Sequence, residues 1–259
     1  MTERITSGGL EPQVLVDAQG QPAVVLLSGG LDSTTVLALA SAAGYRCHCL
    51  SFSYGQRHTR ELDLARTNAE RWGAVRHLVL NIELDAIGGS ALTGDALAVP
   101  KDNLLAFEAA GPAGHGIAGE VPVTYVPGRN TIFLAYAASW AEVLGARDIF
   151  IGVNAVDFSG YPDCRPDYLV AMAAALNLGS QCGREGQPLR LQAPLLHLSK
   201  AEIIAQGLEL GVDYARTHSC YDPDQHHRAC GHCDACILRR RGFAAAGHPD
   251  PATYQDQPD

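Results

Sequence analysis

The sequence predicts an α/β protein with a doubly wound parallel sheet and a small C-terminal lobe built around cysteines. Two observations carry this prediction. Short apolar runs alternate with helical patterns that end at glycine, the order typical of βαβ crossovers in a parallel sheet. Four of the eight cysteines crowd together between Cys220 and Cys236. A chain of 259 residues is long enough for one large domain with such an appendage.

The first half of the sheet follows the pattern most clearly. Residues 23–27 are apolar at every position, as in a strand that is buried on both faces. A glycine-rich turn follows, and residues 34–43 have a helical pattern that Gly44 ends. The unit then repeats as a strand at 47–54, a helix at about 58–72 and a strand at 75–80. Consecutive units of this kind predict neighbouring parallel strands.

The second half is interrupted by residues 88–120, which are rich in Gly, Ala, Pro and polar residues. A connection of this length is typical of a lid or an active-site loop. Residues 132–144 are so apolar that we expect a largely enclosed helix, ended by Gly145. A strand at 148–153 and a helix at 168–178 follow. Ser199 and Glu202 have the spacing of a capping box that begins a helix running to about residue 210.

These elements predict four parts of the chain. Residues 1–22 form a polar extension with a short strand near 14–16, and residues 23–211 form the α/β domain. Residues 212–247 form the cysteine lobe. Residues 248–259, rich in Pro and Asp, form a tail that we expect to be disordered.

Composition narrows the function classes. The chain has 19 basic and 28 acidic residues, a formal net charge of −9, which disfavours a protein that coats duplex nucleic acid or an anionic membrane. The hydrophobic fraction of 47% and the charged fraction of 18% are ordinary for a globular domain. No apolar run approaches the roughly 18 residues of a membrane span, and the first residues lack the apolar stretch of a secretory signal. We therefore expect a cytoplasmic protein with a small-molecule substrate and without a nucleic-acid partner.

The string from Ser28 to Ser33, SGGLDS, lies between the first strand and the first helix. Its glycines allow a tight turn that points successive N–H groups at one spot, and the helix dipole adds positive potential there. The hydroxyls of Ser28, Ser33, Thr34 and Thr35 could add donors to a phosphate. The chain has no Gly-Lys-Ser or Gly-Lys-Thr, which excludes a Walker A loop. The alternative is a purely structural turn with Asp32 or Ser33 as the helix cap.

The cysteine cluster has the spacing of a metal site. Two overlapping C-x2-C steps and a fourth cysteine nearby suit tetrahedral zinc, and a site with four thiolates is closed and structural. An iron–sulfur cluster could also use four thiolates, but the compact spacing before a helix favours zinc. The expected ligands are Cys220, Cys230, Cys233 and Cys236, with His226, His227 or His232 as possible replacements for one of them. The arginines at 239–241 follow directly and are expected on a solvated helix face.

Three weaker signals accompany these two motifs. Arg129 comes just before the apolar helix, where its charge and free N–H groups would favour an anion, although pairing with a surface carboxylate explains it equally well. Asp157, Asp163 and Arg165 follow a strand at the sheet edge where such folds bind ligands; mutual Asp–Arg pairing is the alternative. Lys200 stands just inside a capped helix and could reach a phosphate or could simply be exposed.

The SGGLDS string after a first strand resembles the PP-loop of ATP pyrophosphatases of the adenine nucleotide α-hydrolase type. In order along the chain stand SGGLDSTT, FSYGQRH, VPGRN, GYPDCRP, SKAEI, SCY and CGHCDAC. This set resembles the 7-cyano-7-deazaguanine synthase family over about residues 23–246. The resemblance implies that ATP is cleaved between its α- and β-phosphates, with Asp32 supporting Mg²⁺ or the loop. It implies ATP contacts at Leu27, Ser28, Gly29, Gly30, Leu31, Asp32, Ser33, Thr34, Thr35, Val36 and Leu37, with Phe52 and Tyr54 beside the adenine.

The resemblance further implies a ligase that converts 7-carboxy-7-deazaguanine and free ammonia to the 7-nitrile through an adenylated carboxylate and an amide. Asp32, Arg129 and Lys200 are then the expected catalytic residues. The expected substrate contacts are Arg129, Asp157, Tyr161, Asp163 and Arg165. The zinc is expected to be structural, and the family implies a homodimer. Alternatives are a PP-loop enzyme that adenylates a tRNA base for thiolation, a nonenzymatic zinc-bearing RNA-binding module, and a variant that stops at the amide or passes the deazaguanine to another amine.

Overall fold

The structure is a computed structural model that describes residues 17–56, 60–94, 96–104, 121–154 and 160–256. One five-stranded parallel sheet organises the described chain. Its strands are β1 (Pro22–Leu26), β2 (Arg46–Ser53), β3 (Arg76–Asn81), β4 (Asp148–Phe150) and β5 (Arg190–Gln192). The helices are α1 (Leu31–Ala42), α2 (Arg60–Arg71), α3 (Arg129–Leu144), α4 (Pro166–Gly179), α5 (Gln181–Arg184), α6 (Lys200–Glu209) and α7 (Asp234–Ala245). Two 3₁₀ turns span Pro162–Cys164 and Tyr214–Arg216.

The strand order is β3-β2-β1-β4-β5, which confirms the doubly wound parallel sheet. β1 lies at the centre, where Val25 pairs with Cys49 of β2 on one side and Phe150 of β4 on the other. All three residues are fully buried, as the continuous apolar run at β1 predicted. Strands β2 and β3 are added on one side of β1, and strands β4 and β5 on the other. The boundary between β1 and β4 is therefore a topological switch point, the place where open α/β sheets bind ligands.

Helices cover both faces of the sheet, and the sheet separates the core into two parts. Leu134 and Ala137 of α3 pack on one face with Val24 of β1, while Val36 of α1 and Ile203 of α6 pack on the other. The capping box at the start of α6 is present, since the Ser199 hydroxyl accepts from the Glu202 N–H and the Glu202 carboxylate accepts from the Ser199 N–H.

The prediction that the apolar helix is largely enclosed is wrong for one of its faces. Leu134 of α3 is fully buried, but the side chains of Tyr136 and Val143 are 43% and 83% exposed. The helix carries large apolar side chains on more than one face, and only those that face the sheet are buried. Its buried stripe is an ordinary helix face against the sheet.

The edge strand β5 has no counterpart in the prediction. It is only three residues long, and two of them, Arg190 and Gln192, are polar. Both side chains donate to the buried carboxylate of Asp148 on β4, with Arg190 Nε 2.8 Å and Gln192 Nε2 2.7 Å from Oδ1. Because two of its three residues are polar, the sequence does not predict this strand. These two polar side chains satisfy the buried charge of Asp148 on the neighbouring strand.

The C-terminal segment also differs from the prediction, because residues 248–256 pack on the cysteine lobe instead of being disordered. Tyr254 is 1% exposed, and its hydroxyl donates to Asp250 at 2.7 Å. Asp250 in turn pairs with Arg239, and the guanidinium of Arg240 lies 3.9 Å from the centre of the Tyr254 ring. One buried aromatic ring and these ion pairs outweigh the Pro- and Asp-rich composition.

The predicted strand near 14–16, most of the 88–120 loop and the last three residues lie outside the described part. The described stretches of that loop, 88–94 and 96–104, form no strand, and residues 103–104 are helical. Within the described part of the chain, no helix is both long and apolar enough to span a bilayer.

Candidate active site

A cavity of about 330 Å³ opens at the carboxyl ends of β1, β2 and β4. Its volume falls in the range of roughly 300–1,000 Å³ that is typical of small-molecule sites. One wall comes from the sheet and the turn between β1 and α1. Another comes from the cysteine lobe, through Cys220, Tyr221, Asp234 and neighbouring residues. The cavity therefore lies at the switch point and is shared by both parts of the protein.

The turn between β1 and α1 has the geometry of an anion-binding loop at a helix N-terminus. Gly29 adopts a positive φ of +84°, and a Cβ there would lie only 2.2 Å from the backbone oxygen of Glu61 on α2. After β4, Gly152 approaches the loop so closely that a Cβ would lie 3.1 Å from the Ser33 nitrogen. The loop is thus clamped between α2 and the end of β4, with the positive end of α1 below it.

The predicted nucleotide segment divides into a cavity-facing part and a supporting part. Leu27, Ser28, Gly30, Leu31, Asp32 and Ser33 line the cavity. The Thr34 hydroxyl instead donates to Gly30 O at 2.8 Å, and the Thr35 hydroxyl donates to Leu31 O at 2.9 Å. Both threonines are buried, as are Val36 and Leu37. Residues 34–37 therefore stabilise the first turn of α1. The Ser33 hydroxyl also donates to Gly30 O, at 3.2 Å, and is hydrogen-bonded to the Ser28 hydroxyl at 3.0 Å, so the two cavity-facing serines support the loop as well.

The end of β2 supplies an aromatic wall. Phe52 stacks on Phe133 of α3 with ring centres 4.0 Å apart and an angle of 5° between the planes. The ring centre of Tyr54 lies 5.6 Å from that of Phe133, and all three residues line the cavity. A flat apolar surface beside a phosphate loop suits a purine base.

Lys200 and Asp32, distant in sequence, form one ion pair at the cavity. The Lys200 ammonium donates to both carboxylate oxygens of Asp32, at 2.7 Å and 2.9 Å. The capping box at Ser199 fixes the start of α6 and so places Lys200 over the first turn of α1. The structure thus brings together two of the three predicted catalytic residues and links the turn between β1 and α1 to α6.

The third, Arg129, lies at the start of α3 on the same cavity, among the hydroxyls of three tyrosines. Burial on its own would lower the pKa of Arg129, but the surrounding Tyr54, Tyr161 and Tyr221 outweigh burial and raise it. Its cationic form is therefore held firmly. Burial raises the pKa of the nearby Glu61 carboxyl to about 7, although the Arg129 charge acts in the opposite direction. Arg129 provides a fixed positive charge for an anionic group in the cavity.

The predicted substrate-binding residues of the loop after β4 differ in their position relative to the cavity. Tyr161 lines the cavity and shares a hydrogen bond of 2.8 Å with Thr124. Asp163 is buried and accepts from the backbone N–H of Asn130 at 3.0 Å, so it holds the start of α3 next to Arg129. Arg165 is exposed and pairs with Asp167 at 3.3 Å. Asp157 lies outside the described residues.

The four cysteines form a cluster that fits a tetrahedral metal ion. Their sulfur atoms all lie within 4.8 Å of one another, and Cys230 Sγ is 4.0 Å from Cys236 Sγ. Four thiolates about 2.3 Å from a tetrahedral zinc lie roughly 3.8 Å apart, close to this spacing. Cys220 Sγ accepts backbone N–H bonds from Asp222 and Cys230 at 3.3 Å and 3.2 Å, which suits a thiolate. The cluster is compatible with zinc.

Two basic residues near the cluster have roles that the sequence did not predict. Arg239, expected on a solvated face, is buried; it pairs with Asp250 at 3.0 Å and donates to Thr217 Oγ1 at 2.8 Å. The Lys101 ammonium lies 2.8 Å from Asp222 and also hydrogen-bonds to Cys230. A positive charge thus lies against one of the thiolates.

Sequence reasoning missed two acidic residues of the cavity wall, Glu61 and Asp234. Glu61 is one of several charged residues on the amphipathic helix α2, and nothing in the sequence distinguishes it. Asp234 stands inside the cysteine motif, where the sequence analysis predicts a role only for the cysteines and neighbouring histidines. A carboxylate between two predicted metal ligands was the available signal.

A phosphate loop of this geometry in place of a Walker A motif, at the switch point of a doubly wound sheet, defines a PP-loop α/β protein. The sequence comparison is more specific, because the family model for queuosine biosynthesis protein QueC matches residues 22–247. The chain belongs to this family, as the resemblance of its motifs predicted.

Curated relatives cover nearly the same length. The 7-cyano-7-deazaguanine synthase of Geobacter metallireducens is 58% identical over 233 residues, which are 90% of this chain and 92% of the relative. The protein of the same name from Thiobacillus denitrificans is 58% identical over 232 residues, 90% of this chain and 97% of the relative. Among solved structures, NMN synthetase from Francisella tularensis matches with a TM-score of 0.44 and 14% identity over 90% of this chain and 79% of that chain.

Proposed function

We propose that this protein is a ligase that converts 7-carboxy-7-deazaguanine, ATP and ammonia to 7-cyano-7-deazaguanine. The observation that carries the proposal is the convergence of the nucleotide loop, the Asp32–Lys200 pair and Arg129 on one cavity in a member of this family. The cavity has fixed positive charge for phosphates and a flat aromatic wall for a base. These are the features that adenylation of a carboxylate requires.

The reaction needs two activations. In the first, a carboxylate oxygen of the substrate attacks the α-phosphorus of ATP, and pyrophosphate leaves. The ammonia nitrogen then attacks the acyl carbon, AMP leaves with the bridging oxygen, and loss of a proton gives the amide. In the second, the amide oxygen attacks the α-phosphorus of another ATP and pyrophosphate leaves again. Departure of AMP and of the remaining amide protons gives the nitrile.

The residues of this chain would act by position and charge. The loop from Ser28 to Ser33 would hold the phosphates, and Lys200 and Arg129 would stabilise the charge that develops on the α-phosphate and the leaving pyrophosphate. Asp163 would act through Asn130 by fixing the start of α3 and hence Arg129. We keep Tyr161 as a substrate contact, since it lines the cavity. Contacts from Asp157, Asp163 and Arg165 to the deazaguanine stay predictions.

Two metal ions accompany this proposal. Mg²⁺ prefers oxygen ligands, and the half-buried Asp32 carboxylate would hold it together with the ATP phosphates, whose charge it would neutralise. The four buried cysteines would hold zinc as a structural ion that stabilises the lobe. A cytoplasmic location and a homodimer stay predictions from composition and family.

The decisive experiment is mass spectrometry of the product formed from 7-carboxy-7-deazaguanine, ATP and ammonium by the purified protein. We expect the nitrile, with two AMP released per product. With ¹⁸O in both carboxylate oxygens, each AMP should carry one ¹⁸O atom, because both oxygens leave in AMP. Absence of AMP with this substrate would refute the proposal.

The same experiment tests the variant that stops early. One AMP per product, together with the mass of the amide, would show that the second activation does not occur. Replacing ammonium by other amines in the same assay would show a conjugate by its mass.

A further inference from the structure

Asp234 is a carboxylate of the cavity wall that the mechanism above does not use. It is the first residue of α7, between the metal ligands Cys233 and Cys236, and it is 7% exposed. It belongs to the wall that the cysteine lobe contributes, together with Tyr221 and Ala235. This wall is separate in the chain from the loop and the aromatic residues assigned to ATP.

One oxygen of this carboxylate has no partner. Asp234 Oδ1 is shielded from water and has no hydrogen-bond partner among the described residues. The backbone N–H of Leu104 donates to the same carboxylate, which orients the group. The first turn of α7 favours a negative charge electrostatically but leaves Oδ1 without a donor.

A buried acceptor without a donor is costly, and most such groups in proteins are satisfied. Because Asp234 lines the cavity, a ligand there can supply the missing donor. The phosphates of ATP carry no N–H groups and would repel a carboxylate. A guanine-type ring instead presents a ring N–H and an exocyclic amino group side by side on one edge, and an ionised carboxylate is the strongest acceptor for such donors.

We infer that Asp234 binds the guanine-type edge of the deazapurine substrate and sets its orientation against ATP. This inference rests on the function proposed above. Asp163, the carboxylate predicted for this task, accepts from Asn130 and is not part of the cavity wall among the described residues. Asp234 adds a base-recognising group from the lobe that the sequence attributed to metal binding alone.

The test is Asp234→Asn, which keeps the size of the side chain but replaces one oxygen by an N–H donor. If the amide oxygen keeps the Leu104 contact, its NH₂ group faces the N–H donors of the base. We expect the KM for 7-carboxy-7-deazaguanine to rise about 10- to 100-fold, with the Kd for ATP within twofold of the unaltered protein. Asp256→Asn is the control, because Asp256 is an exposed carboxylate of the segment that packs on the lobe, where it pairs with Arg240.

A substrate analogue without the 2-amino group supplies an independent measurement on the unaltered protein. We expect it to bind at least about tenfold more weakly than 7-carboxy-7-deazaguanine, and Asp234→Asn to lose most of this discrimination. Zinc content and thermal unfolding are measured for every variant, since Asp234 adjoins two ligands. If Asp234→Asn fails to fold, the analogue comparison decides: equal binding overturns the inference and weaker binding supports it.

The outcomes separate this inference from the function on which it rests. If the unaltered protein forms no AMP and no nitrile, the proposed function fails. If it turns over normally while Asp234→Asn keeps an unchanged KM and the same discrimination against the analogue, only the role of Asp234 fails.

Discussion

Gly29→Ala is the sharpest test of the nucleotide loop, because two separate costs can be worked out for it. At φ +84° an alanine is in the left-handed region, which costs about 1–2 kcal/mol. Its Cβ would also lie 2.2 Å from Glu61 O and 2.9 Å from Ala65 N, both backbone atoms of α2. The overlap is relieved only if the loop and α2 separate by about 1 Å, and overpacking of this kind costs about 1–3 kcal/mol.

Gly73→Ala is the matched control. Gly73 has a φ of +65°, but nothing lies within 4 Å of the position of its added Cβ. Gly73→Ala therefore has only the backbone cost, which the lower entropy of its unfolded chain partly offsets. We expect its free energy of unfolding to fall by about 1 kcal/mol or less. Gly29→Ala should lose about 2–4 kcal/mol in urea unfolding at equal zinc content.

The effect on function should exceed the effect on stability. A displacement of about 1 Å in a positioned reactant costs on the order of 100-fold in rate. We therefore expect Gly29→Ala to release AMP about 100-fold more slowly, and to bind ATP more weakly in calorimetry, whereas Gly73→Ala stays within about twofold of the unaltered protein. If Gly29→Ala binds and cleaves ATP as the unaltered protein does, the loop does not hold the phosphates.

Three further predictions concern charges around the site. Because the pKa of Glu61 is raised to about 7, the folded protein keeps a proton that the unfolded chain releases near its ordinary value, so stability is lost as the pH rises to about 7. As the pH rises from 5 to 8, the free energy of unfolding of Glu61→Gln, measured in urea, should increase by about 2–3 kcal/mol relative to that of the unaltered protein. Parallel curves of unfolding free energy against pH would contradict this. Lys101→Met should release zinc to a chelator about tenfold faster, since it removes a cation beside Cys230, while Arg66→Met on the exposed face of α2 should not change the rate. Arg239→Met should lower the free energy of unfolding by about 3–5 kcal/mol because it leaves the buried Asp250 carboxylate without its cation, although the Tyr254 hydroxyl still donates to it. Arg240→Met, at a more exposed ion pair, should lower it by about 1 kcal/mol, and equal losses would refute this assignment.

The parts of the fold that the sequence predicts well are those with local rules. The apolar run of β1, the glycine that ends α1 and the capping box of α6 each follow from a few neighbouring residues, and all three are present. β5 and the order of residues 248–256 depend on partners far along the chain, such as Asp148 for Arg190 and Arg239 for Asp250. No local pattern contains these contacts.

The same distinction applies to the site. The nucleotide loop and the cysteine cluster are contiguous motifs, so their place could be predicted. The pairing of Lys200 with Asp32 joins residues on two different helices and appears only when α1 and α6 pack on the same face of the sheet. Asp163 was predicted to contact substrate because carboxylates in a loop at the sheet edge often do, yet its oxygen holds the N–H of Asn130.

The cysteine lobe contributes to the cavity wall and also carries the cysteine cluster that is compatible with zinc. Cys220 and Asp234 belong to the cavity wall, and the backbone N–H of His218, shortly before the first cysteine, donates to Gly29 O in the nucleotide loop at 3.1 Å. A metal ion bound by the four cysteines would therefore also fix this wall of the cavity and its contact with the loop. In the function proposed above, a zinc ion at this closed site would have no free coordination position for chemistry, and its role would be to shape the surface against which the deazapurine binds.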